Sequence, residues 1–403
     1  MKRYIAFGVI AIVLIAGVVH FSRTTSSPPV DPRLIDADND FAFRLYKEIA
    51  KADGDKNIFI SPIGIALALQ MTYNGASGTT KDAMANALGV QSLSLDELNE
   101  GNAALLSNLA HPGPKTSLDI ANSLWVRRDI PLDKGFVSRC ANSYRATVTP
   151  LDFGSPLAPA RINSWAARRT HGRIRRVVGK LDRLDVLFLM NAVYFKGVWD
   201  RKFDKKDTEQ QPFYVTEQQS VDVPMMRQKG KFATYMGSSF RAIRLPYRKG
   251  RISMYVFLPR RGVSLDEFLR DLNAADWNKW MAGFHRQKLP VGLPKFKIEY
   301  ERALNEQLKA LGMGEAFDSS NTKGFQGMGM RIRGPVWIEK ALQKTFVEVD
   351  EEGTRAAAIT LINMRAMGGP IPFTVDHPFF FVIRDDKTGL ILFMGSVVDP
   401  TKN

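Results

Sequence analysis

Residues 348–379 read EVDEEGTRAAAITLINMRAMGGPIPFTVDHPF. The stretch joins the end of a strand-like segment to a long loop-like segment, and the two do not belong together in an ordinary domain. The segment from Thr345 to Val349 alternates polar and apolar residues, which is typical of a β-strand. It is followed by a run of small residues and then by a long segment with glycines and prolines. A loop of this length inside a compact domain is uncommon and is usually functional. We therefore expect residues 351–372 to form an exposed functional loop.

The small residues after Gly353 suit a segment that can be buried as well as exposed. If residues 354–364 became a strand, alternate side chains would face one side, beginning with Thr354, Ala356 and Ala358. Such small side chains could enter between existing strands without overpacking a dense core. Gly353 supplies the backbone freedom of a hinge. The pattern predicts a strand that lies outside a sheet in one state and inside it in another, although an alanine-rich linker between two strands is the simpler interpretation.

Three motifs along the chain resemble the serpin family of serine protease inhibitors. The first is EEGT-x-AAA at 351–358, with HPFFF after it at 377–381. The second is NAVYFKG-x-W at 191–199, and the third is NIFISP at 57–62. The resemblance covers residue 37 to the C-terminus, so it implies one serpin domain over residues 37–403. It also implies an α+β fold with about nine helices around three β-sheets and a reactive loop that can insert into the central sheet.

The resemblance further implies which residues take part in inhibition. Counting from the hinge as in inhibitory members places the scissile bond between Met367 and Gly368. The serine of the protease would form an acyl-enzyme with Met367, and loop insertion would distort the protease so that deacylation stalls. Met367 suits elastase-, chymotrypsin- or subtilisin-like proteases, whereas cleavage at Arg365, a secondary candidate for trypsin-like enzymes, favours turnover. The hinge is assigned to Glu351, Glu352, Gly353, Thr354, Ala356, Ala357 and Ala358.

A second group of residues is assigned by the resemblance to the region where the central sheet opens: Ser61, Asn191, Trp199 and Gln343. Two positions depart from the family pattern. Gln343 stands where serpins usually have His, and Gly64 stands where Ser is common. Because Gln can both donate and accept hydrogen bonds, the polar cluster can persist. The effect of both departures on the insertion rate is left open.

The chain is strongly basic, with 56 Lys and Arg against 41 Asp and Glu and a formal net charge of +15. This balance favours anionic partners. Basic residues cluster at Arg168, Arg169, Arg173, Arg175 and Arg176. The cluster is either a solvated face or a site for an acidic polysaccharide or another anionic surface. It lacks the interleaved aromatic residues of single-strand nucleic-acid binding, so no nucleic-acid partner is expected. The acidic helix at 92–109 argues against the heparin site that some serpins carry there.

The N-terminal segment is predicted to direct export. Lys2 and Arg3 precede an uncharged apolar run from Tyr4 to Val19. Residues 1–27 therefore form a signal peptide or a membrane anchor, and the lack of a small-residue cleavage pattern favours an uncleaved anchor. Residues 28–36 form a linker. The globular part is expected to be extracellular, periplasmic or anchored at the cell surface, with membrane contact only through the N-terminal segment.

The motifs of catalysis are missing from the sequence. There is no G-x-S-x-G, H-E-x-x-H or P-loop motif, and five His with one Cys form no metal pattern. The chain is predicted to be a monomer, not an enzyme, with no metal and no cofactor. The leading hypothesis is a suicide-substrate inhibitor of serine proteases. The alternatives are a non-inhibitory serpin that acts as a binding or chaperone module and a cross-class inhibitor of papain-like cysteine proteases.

Overall fold

The structure is a computed structural model that describes residues 29–183, 185–248, 250–329, 335–353 and 371–402. The predicted signal peptide or anchor at 1–27 lies outside these ranges, as does most of the predicted loop. Within them, no helix has both the length and the apolar character needed to span a bilayer.

The described ranges contain nine α-helices. These are α1 (Pro32–Asp53), α2 (Pro62–Tyr73), α3 (Gly78–Leu88), α4 (Leu95–Leu109), α5 (Lys134–Tyr144), α6 (Ala158–Arg169), α7 (Leu265–Asp271), α8 (Ala274–Ala282) and α9 (Asn305–Leu308). Helix α2 is buried on nearly all sides, because its sequence is apolar around the whole circumference.

Fourteen strands are present in the same ranges. They are β1 (Ile58–Ile60), β2 (Thr116–Arg127), β3 (Thr147–Leu151), β4 (Leu187–Gly197), β5 (Glu209–Tyr214), β6 (Ser220–Met236), β7 (Phe240–Pro246), β8 (Ile252–Pro259), β9 (His285–Pro294), β10 (Phe296–Ala303), β11 (Leu342–Val349), β12 (Phe373–Thr374), β13 (Phe379–Asp385) and β14 (Ile391–Val397). The predicted α+β class is therefore confirmed.

The strands of the described residues form three sheets. The largest has nine strands in the order β1-β14-β13-β8-β7-β6-β9-β12, with β5 paired to the edge of β6. A three-stranded sheet, β3-β2-β4, and a two-stranded sheet, β10-β11, lie side by side over α2. We call the line between β4 and β11 the seam. Among the described residues, the two smaller sheets are joined at the seam by one isolated bridge between Val198 and Gly353.

Helix α1 begins inside the stretch that was predicted to be a linker, at 28–36. The Asp31 side chain caps it by accepting a hydrogen bond from the Arg33 amide at 2.8 Å. Pro32 suits the first helical position. Leu34 and Ile35 are buried in the core. The folded domain therefore starts a few residues earlier than residue 37.

The segment after Pro294 differs in part from the sequence-based expectation, which is a helix that follows Phe296, carries Leu304, Leu308 and Leu311, and ends at Gly312. Residues 296–303 instead form strand β10, which pairs along its whole length with β11. The helix itself is present, because α9 continues as a π-helical turn at Lys309–Met313 in which Gly312 has a non-helical φ of 96°. The pattern therefore predicted the helix and its end but missed the strand before it.

Candidate functional site at the seam

The backbone at the end of β11 is fixed against the end of β4. The Trp199 amide donates a hydrogen bond to the Glu352 carbonyl at 2.8 Å. The Trp199 indole Nε1 donates to the Asp350 carbonyl at 2.9 Å. The Phe203 amide donates to the Glu351 carbonyl at 2.8 Å. Three successive carbonyls, one just before the predicted hinge and two within it, are therefore hydrogen-bonded by residues that follow β4.

At Gly353 the backbone that follows β11 comes close to the backbone that follows β4. Its φ of 125° lies in the region that favours glycine. A Cβ at this position would lie 2.3 Å from the Gly197 carbonyl oxygen and 2.6 Å from the Trp199 amide nitrogen. Both groups are backbone and cannot rotate away. Glycine is therefore required at position 353 both by its backbone conformation and by the lack of space for a Cβ. This requirement does not depend on insertion of the loop.

Two buried carboxylates anchor the same turn. The Glu351 carboxylate lies 3.0 Å from Lys295 Nζ and accepts a hydrogen bond from the Thr208 hydroxyl at 3.0 Å. Burial acts to raise the pKa of Glu351, but hydrogen bonds from its own backbone, Lys295 and Thr208 outweigh burial and lower the pKa. Glu352 lies 3.6 Å from Lys202 Nζ, and its Oε1 has no hydrogen-bond partner among the described atoms. Glu351 is therefore the better satisfied of the two anchors. The sequence does not reveal these partners.

An aromatic corner is built by Trp199 and Tyr247. Their rings are stacked with centroids 4.6 Å apart and planes inclined by 9°. Tyr247 in turn packs over Gly197, where a Cβ would lie 2.5 Å from its ring. Trp199 is almost completely buried. The indole is consequently held rigidly in the orientation that presents its N–H to the Asp350 carbonyl.

Ser61 and Gln343 are brought together below the seam. The Gln343 side chain accepts a hydrogen bond from the Ser61 amide at 3.1 Å and donates one to the Ser61 carbonyl at 2.8 Å. The Ser61 hydroxyl donates to the Leu392 carbonyl at 2.9 Å. Gln343 therefore joins β11 to the start of α2 through two hydrogen bonds, and its amide uses both its donor and its acceptor capacity.

Asn191 belongs to a different hydrogen-bond network, although it lies nearby. Its amide donates to the Asn122 side-chain oxygen at 2.8 Å, and the Asn122 amide donates to the Tyr144 carbonyl at 2.7 Å. Asn191, Gly64 and Gln343 line one cavity of about 60 Å³ between α2 and the seam. A Cβ on Gly64 would lie 2.2 Å from Asn191 Oδ1, so the present packing has no room for a serine at this position.

The segment that follows α6, residues 170–176, crosses the seam, and we call it the strap. The His171 Nε2 lies 2.9 Å from the Asp119 carboxylate on β2, and its ring lies 4.5 Å from the Tyr194 ring on β4. Two residues later, the Arg173 guanidinium lies over the Phe346 ring on β11. The strap therefore contacts both sheets and covers the line between them.

The five basic residues of the predicted anion site have different surroundings. Arg168 and Arg169, at the end of α6, line a cleft of about 320 Å³ together with Arg145 and His171. Arg173 is turned towards β11. Arg175 and Arg176 are exposed on the far part of the strap, and the Arg175 side chain donates to the Gly172 carbonyl. The sequence analysis grouped Arg173 with its neighbours because its partner, Phe346, is far away in the sequence. A contact of this kind cannot be recognised from the residues around Arg173.

The remaining assigned residues lie outside the described ranges. These are Thr354, Ala356, Ala357 and Ala358 of the hinge, the secondary candidate Arg365, and the predicted bond between Met367 and Gly368. The chain re-enters the described structure at Ile371, whose side chain is exposed. It then pairs with β9 through β12.

A family sequence model described as Serpin (serine protease inhibitor) matches residues 36–400. The chain belongs to the serpin family. Two serpin relatives illustrate the breadth of the match. Serpin B6 of Macaca fascicularis is 35% identical over 91% of this chain and 99% of its own length. An uncharacterised serpin-like protein of Thermococcus kodakarensis is 35% identical over 91% of this chain and 86% of its own length.

Solved serpin structures give the same result for the fold. The thermophilic serpin Tengpin in the native state superposes with a TM-score of 0.84 and 31% identity, covering 93% of this chain and 96% of its own. Thyroxine-binding globulin in complex with thyroxine superposes with a TM-score of 0.82 and 25% identity, covering 91% of this chain and 99% of its own. The predicted serpin fold is confirmed, and family membership supports protease inhibition as the general function.

Proposed function

We propose that this serpin is a suicide-substrate inhibitor of serine proteases. One observation carries the proposal. The chain after β11 is bridged to the chain after β4 by the pair Val198 and Gly353. Along the rest of the seam, β4 and β11 are not paired with each other in the described residues. An open seam beside a hinge is the arrangement that an inserting strand needs.

The proposed reaction begins when the protease serine attacks the carbonyl carbon of Met367. An ester forms, the Met367–Gly368 amide bond breaks, and the amine of Gly368 leaves with a proton supplied by the protease histidine. Release of the loop would let residues 354–364 enter the seam as a strand. The attached protease would be carried along the sheet, and its distorted active site would no longer hydrolyse the ester.

The proposed specificity rests on the loop sequence. Met367 suits proteases with an apolar pocket, namely elastase-, chymotrypsin- or subtilisin-like enzymes. Cleavage at Arg365 would shorten the inserting segment by two residues, so a trypsin-like enzyme is expected to turn the chain over as a substrate.

Two other functions stay open. Thyroxine-binding globulin uses this fold in complex with a small ligand, which supports a non-inhibitory binding module as an alternative. A papain-like cysteine protease could be trapped by the same loop. The small residues at Thr354, Ala356 and Ala358 favour inhibition over simple binding.

The remaining partners and the location are part of the same proposal. Residues 1–27 would direct export and provide the membrane contact, and the folded domain would lie outside the cytoplasm as a monomer. An acidic polysaccharide or anionic surface would bind at Arg168, Arg169, Arg175 and Arg176. Arg173 is excluded from that surface because its guanidinium packs on Phe346.

The test is to incubate the full-length chain, solubilised in non-ionic detergent, with pancreatic elastase, chymotrypsin, subtilisin, trypsin and papain. Denaturing gels and mass spectrometry should reveal an adduct at the summed masses and a released peptide that begins at Gly368. Ala356→Arg, on the inward side of the predicted strand, should convert inhibition into cleavage. Arg355→Ala, on the outward side, should not. Clean cleavage by every protease, with no adduct and no gain in thermal stability, would favour the binding module.

A further inference from the structure

A carboxyl group is buried between helices α1 and α2. Asp38 on α1 is 3% exposed, and Gln70 on α2 is completely buried. The Gln70 Nε2 donates a hydrogen bond to Asp38 Oδ1 at 2.8 Å. Within the described part of the chain, no Lys, Arg or His forms an ion pair with Asp38. An ionised carboxylate that is buried without a cation costs considerable free energy, so its charge needs an explanation.

Each of these two side chains leaves one oxygen without a partner. Asp38 Oδ2 and Gln70 Oε1 are both buried, and neither has a hydrogen-bond partner among the described atoms. While Asp38 is ionised, both oxygens are acceptors and cannot bond each other. A proton on Asp38 Oδ2 removes this conflict, because the carboxylic acid then has a hydrogen to donate to the Gln70 oxygen. The planar acid and the planar amide would then share two reciprocal hydrogen bonds.

The polar groups that continue from this pair are uncharged. The Asn74 amide donates to the Gln70 carbonyl at 3.0 Å, to Asn99 Oδ1 at 2.9 Å and to the Tyr144 hydroxyl at 3.1 Å. Burial raises the pKa of Tyr144, so its hydroxyl stays protonated at neutral pH. Asp38 therefore ends a buried network in which its own carboxyl is the group that titrates at the lowest pH.

The charged side chains on the elements around Asp38 are directed elsewhere. Arg139 on α5 donates to Asn74 Oδ1 at 3.1 Å, and Lys81 on α3 lies over the Tyr73 ring. The others are exposed or have partners of their own: Asp36, Asp40 and Arg44 on α1, Asp82 on α3, Asp96, Glu97 and Glu100 on α4, and Lys387 before β14. Burial therefore raises the pKa of Asp38 to about 7, although the hydrogen bond from Gln70 acts to lower it.

We propose that Asp38 is a carboxylic acid in the native fold, doubly hydrogen-bonded to Gln70, and that its ionisation weakens the contact between α1 and α2. The loss of the proton would leave two buried oxygens facing each other without a hydrogen between them. The proposal does not depend on protease inhibition, since it concerns the packing of the folded domain and not the reactive loop.

The proposal fixes the direction of a pH dependence. An Asp in the unfolded chain ionises near its ordinary pKa of about 3.9, whereas burial keeps Asp38 protonated in the folded chain up to about pH 7. Between these two values the folded chain binds one proton more than the unfolded chain, so its stability falls as the pH rises. Above about pH 7 both states are ionised, and the stability that was lost is not regained.

The experiment is chemical denaturation of the full-length chain in non-ionic detergent, from about pH 4 to about pH 8. Asp38→Asn imitates the neutral acid, because its amide can donate to Gln70 Oε1 and still accept from Gln70 Nε2. Asp36→Asn removes one carboxylate from an exposed position of the same helix and is the matched control. Relative to the wild type, the folding equilibrium constant of Asp38→Asn should rise by up to about tenfold for each pH unit between about 4 and 7 and then stay constant. Asp36→Asn should follow the wild type.

Infrared spectroscopy gives a second readout, because a protonated carboxyl has a C=O stretch that a carboxylate lacks. At about pH 5.5, where ordinary carboxyls are mostly ionised, the wild type and Asp36→Asn should show this band and Asp38→Asn should lack it. A missing wild-type band would overturn the proposal, and it is the result expected if a buried water donates to both oxygens and Asp38 is ionised. An Asp38→Asn variant with the pH dependence of the wild type would overturn it as well.

The wild type alone still tests the proposal if Asp38→Asn does not fold. Its carboxylic band should disappear between about pH 6 and pH 8, with the fold retained, because the proton leaves as the pH passes the raised pKa of Asp38. A band that stays unchanged through this range would assign it to another group and overturn the proposal.

Discussion

The guanidinium of Arg173 lies 5.0 Å from the centre of the Phe346 ring and 3.9 Å from the Glu348 carboxylate. Arg173 belongs to the strap and Phe346 to β11, so the contact spans the seam through which the proposed strand would enter. Lys297 also lies over the same ring, at 5.7 Å. An inserting segment would have to displace the strap, and the cation–π contact adds to the barrier against that movement.

Arg173→Ala should therefore accelerate spontaneous loop insertion. Loss of one exposed cation–π contact is worth about 0.5–1 kcal/mol, or roughly a two- to fivefold faster rate if the contact is broken in the transition state. The measurement is the rate at which the purified chain loses inhibitory activity on storage. Arg175→Ala removes a neighbouring arginine whose hydrogen bond within the described ranges goes to the Gly172 carbonyl, and it should leave the rate unchanged. Equal rates for both variants and the wild type would show that the strap contact does not limit insertion.

Gly353→Ala should loosen the hinge. The new Cβ would collide with the Gly197 carbonyl, and the positive φ adds strain, together costing about 1–3 kcal/mol. We expect a lower thermal transition and more cleaved inhibitor per trapped protease. Gly262 has a φ of 88°, and a Cβ at that position would meet no atom within 4 Å, so Gly262→Ala isolates the effect of φ. If both variants behave alike, the close approach at Gly353 has no role of its own.

Gln343→Ala should destabilise the native state by about 1–3 kcal/mol, because it leaves the buried Ser61 amide without its acceptor. Chemical denaturation of the native chain is the measurement. Gln218→Ala removes an exposed glutamine and serves as the control. Gln343→His tests the departure from the family pattern. Wild-type stability in Gln343→Ala would mean that another group replaces the Gln343 side chain.

The lowered pKa of Glu351 predicts an acid-sensitive hinge. A carboxylate whose folded pKa is depressed stabilises the fold above its ordinary pKa of about 4.3, and this contribution is lost as the pH falls through the folded value. Glu351→Gln should therefore unfold at a lower temperature than the wild type at pH 7, and the difference should shrink as the pH falls below about 4.3 and vanish once it passes the lowered folded pKa. Glu352→Gln, which loses only the longer contact to Lys202, should show a smaller difference. If the difference in unfolding temperature between Glu351→Gln and the wild type does not change with pH, the charge of Glu351 is excluded as its cause.

The sequence predicted the parts of this protein that depend on local pattern. The burial of helix α2 follows from a local sequence that is apolar around the whole helix. The backbone freedom expected at Gly353 agrees with its positive φ, while its role as a hinge stays a prediction. Strand β10 was missed because its pairing with β11 joins residues such as Phe296 and Val349 that are far apart in the chain. The roles of Arg173 and Lys295 were missed for the same reason, since their partners are set by the tertiary fold and not by neighbours in sequence.

The pocket of about 60 Å³ between α2 and the seam is partly open to solvent. If the proposed strand entered the seam, it would displace water from this pocket and bury its lining, which includes Gly64, Asn191 and Gln343. Solvent accessibility of this lining would then report whether the seam is open or filled, independently of any protease.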